Sequence, residues 1–250
     1  KDYEPHNYHD REHGPVTMRQ ALAGSLNIAA VKTIYLTGID RVLNLAEDMG
    51  YTSLGDRSRF GLSLVLGGAE VRLLEHVMAF SAFANDGVKN ETPLSILKVQ
   101  DKEGRVLEEV TYKPKRVLSK EIARTMDSVL SDNNARSYIF GVKNYLTLKD
   151  RPAAAKTGTT NDYRDAWAIG FTPQLVTGVW VGNNDNSKMR RGADGSVMAA
   201  PIWNQFMTFA LKGKPVVPFP DAPSNTSQKP ILRGEKVGES YKAKAEVTAR

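Results

Sequence analysis

Apolar residues recur at spacings of three and four through the first half of the chain, the period that gathers side chains on one face of a helix. The first such stretch opens at Thr17 and Gln20, a T-x-x-Q capping box, and puts Met18, Ala21 and Leu22 on the apolar side of a short helix running toward Gly24. A second helix is predicted over about 26–36, ending at Gly38, and a third over about 39–49, ending at Gly50. A fourth covers about 71–84, with Leu74, Val77, Met78 and Phe80 facing inward and Asn85, Asp86 and Gly87 closing it. From 92 to 110 the pattern changes to a hairpin, with Asp101, Lys102, Glu103 and Gly104 as its turn. Ser119 then caps a helix that runs to about 130.

Three strands are predicted next, over about 153–160, 164–171 and 175–182, joined by Asn161-Asp162 and Thr172-Pro173, which suit tight antiparallel turns. A last helix, about 197–211, carries Ile202, Trp203, Phe206, Met207 and Phe209 as its buried stripe. Helices before and after an antiparallel meander define an α+β class, an antiparallel sheet covered by helices on both faces, with the first strand of the meander at an edge facing a cleft. One domain is expected over 1–211. Pro215, Pro218, Pro220 and Pro223 end regular structure, and 212–250 is expected to be a polar, disordered tail.

Composition narrows the function classes. With 250 residues, 41% of them hydrophobic, the chain can bury one substantial core. Its formal net charge is +6, but 212–250 hold eight Lys or Arg against four Asp or Glu, so the tail supplies +4 and the body is nearly neutral. A nucleic-acid partner is therefore not expected. No apolar run approaches the roughly 20 residues of a membrane span. The absence of cysteine excludes disulfides and thiolate chemistry and suits an extracytoplasmic setting. The chain opens at Lys1 inside a polar stretch and is read as a piece of something longer.

The candidate chemistry lies in "AAAKTGTTNDYRDAW". On a strand Lys156 and Gly158 share one face and Thr157 and Thr159 the other. At a sheet edge the Lys156 ammonium would project over the cleft floor, Gly158 would leave room for a ligand backbone, and Thr157 and Thr159 would offer hydroxyl donors. Taken alone the lysine would also fit an ordinary exposed strand end. A second constellation, Ser25-Leu26-Asn27, sits at the junction of two predicted helices, where a short loop lets both polar side chains enter one cavity. Taken alone it would also fit a helix cap.

Together, in this order, the two elements match the S-x-N and K-T-G motifs of penicillin-binding proteins and β-lactamases. The flanks "GPVTMRQALAGSLNIAAVK", "AAAKTGTTNDYRDAWAIGFTP" and "VWVGNNDNSKM" resemble the transpeptidase domain of bifunctional, class A penicillin-binding proteins of the 1A type, from residue 3 to about 211. That resemblance implies a β-lactamase-like transpeptidase fold, truncated at its N-terminal side, and a serine acyl-enzyme that cross-links peptidoglycan stem peptides. It implies that Ser25 relays protons to the leaving amine and that Asn27 holds the donor peptide and the catalytic lysine. Lys156 would supply positive potential and support Ser25, Thr157 and Thr159 would bind the terminal carboxylate, and the Thr159 N–H would complete the oxyanion hole. The implied partners are stem peptides and β-lactams, with no cofactor. The implied location is extracytoplasmic, with membrane attachment only through an N-terminal anchor absent from this chain.

The family's nucleophile, a serine with a lysine one helical turn later, precedes the S-x-N element, yet none of the 24 residues before Ser25 is serine. The single S-x-x-K match is Ser95 to Lys98, on a predicted hairpin arm where positions i and i+3 face opposite ways. The nucleophile is therefore expected upstream of Lys1, with none in this chain. His6, His9 and His13, with Asp10 and Glu12, sit in a polar leading segment where no metal is expected. Asp165 and Trp167 would either shape the cleft or join the core, and Lys188, Arg190 and Arg191 fit a solvated loop or a contact for an acidic stem peptide. Two other classes stay open: a non-catalytic cell-wall peptide binder, and a D,D-carboxypeptidase or β-lactamase, for which Glu70 or Glu75 would have to serve in deacylation.

Overall fold

The capping box at Thr17 forms in both directions: the Gln20 N–H donates to Thr17 Oγ1 at 3.1 Å, and the Thr17 N–H donates to Gln20 Oε1 at 3.2 Å. The structure is a computed structural model describing residues 3–8, 10–91 and 93–224. Helix α1 (Met18–Ala23) ends at Gly24, and Ser25 then takes a φ of 59°. That left-handed conformation is uncommon away from glycine and turns the chain sharply. Helix α2 (Asn27–Thr37) starts after the bend, so Asn27 is its first residue instead of lying in a loop, and only Ser25 and Leu26 make the junction. Helix α3 (Ile39–Met49) ends as expected at Gly50, left-handed with φ 99°.

Helix α4 (Leu73–Ala84) buries Ala79 and Ala82, while Leu74 is 56% exposed, contrary to its expected inward position. The helix is apolar around most of its circumference, so spacing alone did not say which side meets the sheet. Four short strands follow. β1 (Val88–Asn90) pairs with β4 (Pro114–Arg116), a pairing not anticipated, and β2 (Lys98–Gln100) pairs with β3 (Val106–Glu109) around the predicted Asp101 turn, over a shorter span than expected. Helix α5 (Lys120–Leu130) is capped by Ser119, whose hydroxyl accepts the Ile122 N–H. Helix α6 (Asn133–Phe140) was not anticipated; Asp132 caps it, accepting the Ala135 N–H at 2.9 Å.

The meander is β5 (Ala154–Thr159), β6 (Asp165–Thr172) and β7 (Leu175–Gly182), antiparallel in the order β5-β6-β7. Strand β5 is an edge of this sheet. Its register sets Lys156 opposite Ile169 and Gly158 opposite Trp167. On one face Ala153, Ala155 and Ala168 pack against helix α7 (Ala200–Ala210) and the single π-helical turn before it, Gly195–Ala199. On the other, Ala154 and Phe171 pack against Leu130 and Met126 of α5 and Phe80 and Phe83 of α4. The fold is thus α+β with helices on both faces. Gly178 admits α4 onto β7, since a Cβ there would lie 2.6 Å from Val77 Cγ2.

In α7 the buried stripe is Ala200, Trp203 and Met207; Ile202, Phe206 and Phe209, expected inside, are exposed, Phe209 by 79%. A helix lying on one sheet buries a single stripe, and these three residues fall outside it. The stretch from Lys212 was expected to be a free tail, but within 212–224 Phe219 meets Phe171 edge-on at 5.7 Å and the Lys214 carbonyl accepts from Arg151 at 3.1 Å. Residues 225–250 lie outside the described residues. Among the described residues no helix is long and apolar enough to cross a membrane.

Candidate active site

Lys156 extends from the edge strand on the helix-covered α4/α5 side, and its Nζ donates to Ser25 Oγ at 2.6 Å and to the Thr157 carbonyl at 2.7 Å. The left-handed bend at Ser25 is what presents that hydroxyl to a strand 131 residues later. Burial strips water from the ammonium and pushes the Lys156 pKa down from its ordinary 10.5 to about 8; the positive Arg136 adds to the effect. Arg136, on α6, is fully buried, donating to the carbonyls of Leu130 and Leu146. Sequence reasoning missed it, because an arginine in a weakly periodic helix reads as surface.

Asn27 stands beside Ser25, and its Nδ2 donates to the His6 carbonyl at 2.9 Å. The leading segment thus reaches the start of α2, where the Ile28 N–H also donates to Asn7 Oδ1 at 3.2 Å. Farther along, the Tyr8 hydroxyl donates to Asp194 Oδ2 at 2.9 Å. Burial, then Tyr163 and Asp194, holds the Tyr8 phenol above its ordinary pKa.

Beyond Lys156 the strand lies against the π-helical turn. Thr159 Oγ1 accepts the Gly195 N–H at 3.0 Å, and a Cβ on Gly195 would fall 2.5 Å from the Gly158 carbonyl oxygen. Thr157 is 8% exposed. On the Lys156 face, a Cβ on Gly158 would meet only Trp167 Cβ, at an ordinary 3.5 Å, so the strand surface is open there. Trp167 is half-buried and stands edge-on to His76 of α4, 5.6 Å between centroids. His76 Nδ1 is 2.5 Å from the Tyr51 hydroxyl, and burial pushes the imidazole pKa down to about 4, keeping the ring neutral. Asp165 locks the β5–β6 connection, accepting from Thr160 Oγ1 at 2.7 Å and Trp180 Nε1 at 2.8 Å.

The remaining candidates lie apart. Ser95 is exposed in a bend before β2, and the exposed Lys98 ammonium faces Glu109 at 3.7 Å, not the serine. No helical turn joins the two. His6 lies 3.9 Å from Asp10, while the His13 ring meets Tyr138; His9 is outside the described residues. Glu70 accepts from Arg59, and Glu75 from the Thr52 N–H and hydroxyl. Lys188 pairs with Asp162 at 2.9 Å, and Arg190 and Arg191 are exposed.

A helix-covered antiparallel sheet, with an interhelical serine held on the ammonium of a K-T-G edge strand, defines a penicillin-binding transpeptidase domain. The family described as "Penicillin binding protein transpeptidase domain" matches residues 1–208, and the chain belongs to it. It is 37% identical over 226 residues to penicillin-binding protein 1A of Aquifex aeolicus, covering 90% of this chain and 30% of that one. It is 38% identical to penicillin-binding protein 2D of Bacillus subtilis, covering 87% and 31%. Among solved structures, penicillin-binding protein 1A from Haemophilus influenzae superposes with a TM-score of 0.76 at 28% identity, over 89% of this chain and 38% of that chain. PonA1 from Mycobacterium tuberculosis gives 0.73 at 25% identity, over 90% and 66%. The chain therefore spans less than a third of the length of these two curated relatives.

Proposed function

We propose that this chain is the C-terminal part of a D,D-transpeptidase domain that cross-links peptidoglycan stem peptides in a membrane-anchored, extracytoplasmic enzyme. The observation that carries the reading is the Lys156–Ser25 hydrogen bond. An ammonium donating to Ser25 Oγ leaves the serine's own O–H free to be given away. In the first half-reaction the nucleophilic serine, supplied from outside residues 1–250, gives its hydroxyl proton to the basic amine beside it, which returns it to Lys156 after the leaving group has been protonated, and forms an ester with the penultimate D-alanyl carbonyl. The C–N bond to the terminal D-alanine breaks, and its nitrogen takes the Ser25 proton, which Lys156 replaces. An acceptor amine then attacks the ester, an amide forms, and the serine oxygen leaves with the proton that the attacking nitrogen gives up. A Lys156 with a pKa near 8 can both donate and recover a proton at neutral pH.

The other roles are assigned from the S-x-N and K-T-G motifs. Asn27 holds the donor peptide's amide, and Gly158 lets its backbone lie along β5 as an added strand. Thr159 keeps a hydroxyl proton for the terminal carboxylate, because its oxygen accepts from Gly195; Thr157, more deeply buried, supports the same carboxylate from behind. The Thr159 N–H is one oxyanion donor. The test is to label the full-length protein with a fluorescent penicillin and map the modified serine. Label on an S-x-x-K serine outside this chain supports the transferase; label at Ser95 overturns the assignment, and no label favours a non-catalytic binder.

A further inference from the structure

Asn7 lies in the leading segment, yet it is only 8% exposed. Its Nδ2 donates to the Arg11 carbonyl at 2.7 Å and its Oδ1 accepts the Ile28 N–H. The second bond meets a need that local sequence leaves open. Helix α2 begins after Leu26, a residue with no polar side chain to accept from the first turn, so the Ile28 N–H would otherwise be an orphan donor. Asn7 caps the helix from outside, across 21 residues. On either side of it, the His6 carbonyl accepts from Asn27 and the Tyr8 hydroxyl donates to Asp194, the residue that caps the π-helical turn packed on Thr159. Residues 6–8 therefore strap the first turn of α2, beside Ser25, to the π-helical turn that packs on β5.

Ser25 makes such a strap necessary. A non-glycine residue at φ 59° persists only where its surroundings over-determine it, and Ser25 lies between the last turn of α1 and the first of α2. We infer that Asn7 is a positioning residue: by fixing the first turn of α2 it holds Ser25 in the bend that aims Oγ at Lys156. The effect on rate rests on the acyl-transfer reading; the effect on local structure does not.

The test compares Asn7→Ala with Asn7→Asp, which keeps an oxygen for the Ile28 N–H, in the full-length protein. Two quantities are measured: amide hydrogen exchange along the chain, and the rate of acylation by a fluorescent penicillin. Loss of the cap in Asn7→Ala should speed exchange at Ile28 about tenfold, leave β6 unchanged and slow acylation about tenfold, with Asn7→Asp recovering both to within about threefold of wild type. Unchanged exchange at Ile28 in Asn7→Ala overturns the inference. So does a rise spread equally over β6 with no rescue by Asn7→Asp, which would make Asn7 general structural support. Absence of label on the wild type would sink the transferase reading alone, because the exchange comparison still decides the role of Asn7.

Discussion

Lys156 and Ser25 are joined by a hydrogen bond, Nζ and Oγ 2.6 Å apart, the ammonium donating. Both groups are held in unusual states: the lysine is a partly desolvated cation on an edge strand, and the serine occupies a left-handed bend between two helices. Removing the hydroxyl while keeping the bend isolates its chemical role. Ser25→Ala in the full-length protein is expected to slow acylation by a fluorescent penicillin by about 10²–10⁴-fold, the usual range for a lost proton relay. A loss under about threefold would show that Ser25 carries no proton.

Two glycines near the site separate structure from function. A Cβ on Gly195 would sit 2.4 Å from the Trp167 carbonyl oxygen, so Gly195→Ala must lift the π-helical turn from the sheet, at about 1–3 kcal/mol. A Cβ on Gly158 has only an ordinary contact, and its backbone is not left-handed, so Gly158→Ala should change stability by less than about 1 kcal/mol. It places a methyl where the peptide backbone is proposed to lie. Denaturation midpoints should fall for Gly195→Ala only, while acylation slows in both. A stable, fully active Gly158→Ala would remove the added-strand binding mode.

The meander was legible because its strands alternate and its connectors, Asn161-Asp162 and Thr172-Pro173, are turn residues; β5, β6 and β7 fall within a residue or so of expectation. The Ser25–Lys156 meeting was legible only through two motifs read together, since no local rule links residues 131 apart. Periodicity identified the helices α4 and α7 but overstated their buried stripes at Leu74, Ile202, Phe206 and Phe209, because it does not tell how wide a face the neighbouring layer covers. Three-residue strands such as β1 and β4 carry too few positions to show a period. Arg136 and Asn7 had no signal, being polar side chains buried by tertiary partners.

The depressed lysine pKa has a pH signature. The unfolded chain binds a proton at this side chain up to its ordinary 10.5, the folded chain only up to about 8, so between those values the unfolded state holds more protons. Stability from this group is then fully present above 10.5 and is lost as pH falls through 8, by at most about 3 kcal/mol, less whatever solvent screens at a half-buried site. Urea denaturation of wild type and Lys156→Met, compared from pH 7.5 to 10.5, should show the wild type gaining relative to the variant as pH rises. A constant difference would mean that Lys156 titrates at its ordinary value.

Asp127 is the opposite case. It is buried on α5, its Oδ1 has no hydrogen-bond partner, and burial first, then the nearby Asp86, pushes its carboxyl up to about 7. The unfolded carboxyl ionises near 3.8, so this residue favours the fold below that pH and the advantage is lost as pH rises through 7. An amide of the same shape stays neutral throughout, so Asp127→Asn should stabilise the protein by about 1–3 kcal/mol at pH 8. The gain should be well under half as large at pH 5 and vanish only below about 3.8, where the unfolded carboxyl is protonated as well. The charges that act on the Asp127 carboxyl are Asp86 and Arg124 and not Lys156, so acylation should be unaffected at both pH values. An equal stability change at pH 5 and pH 8 would show that the carboxyl is not carrying its charge into the core.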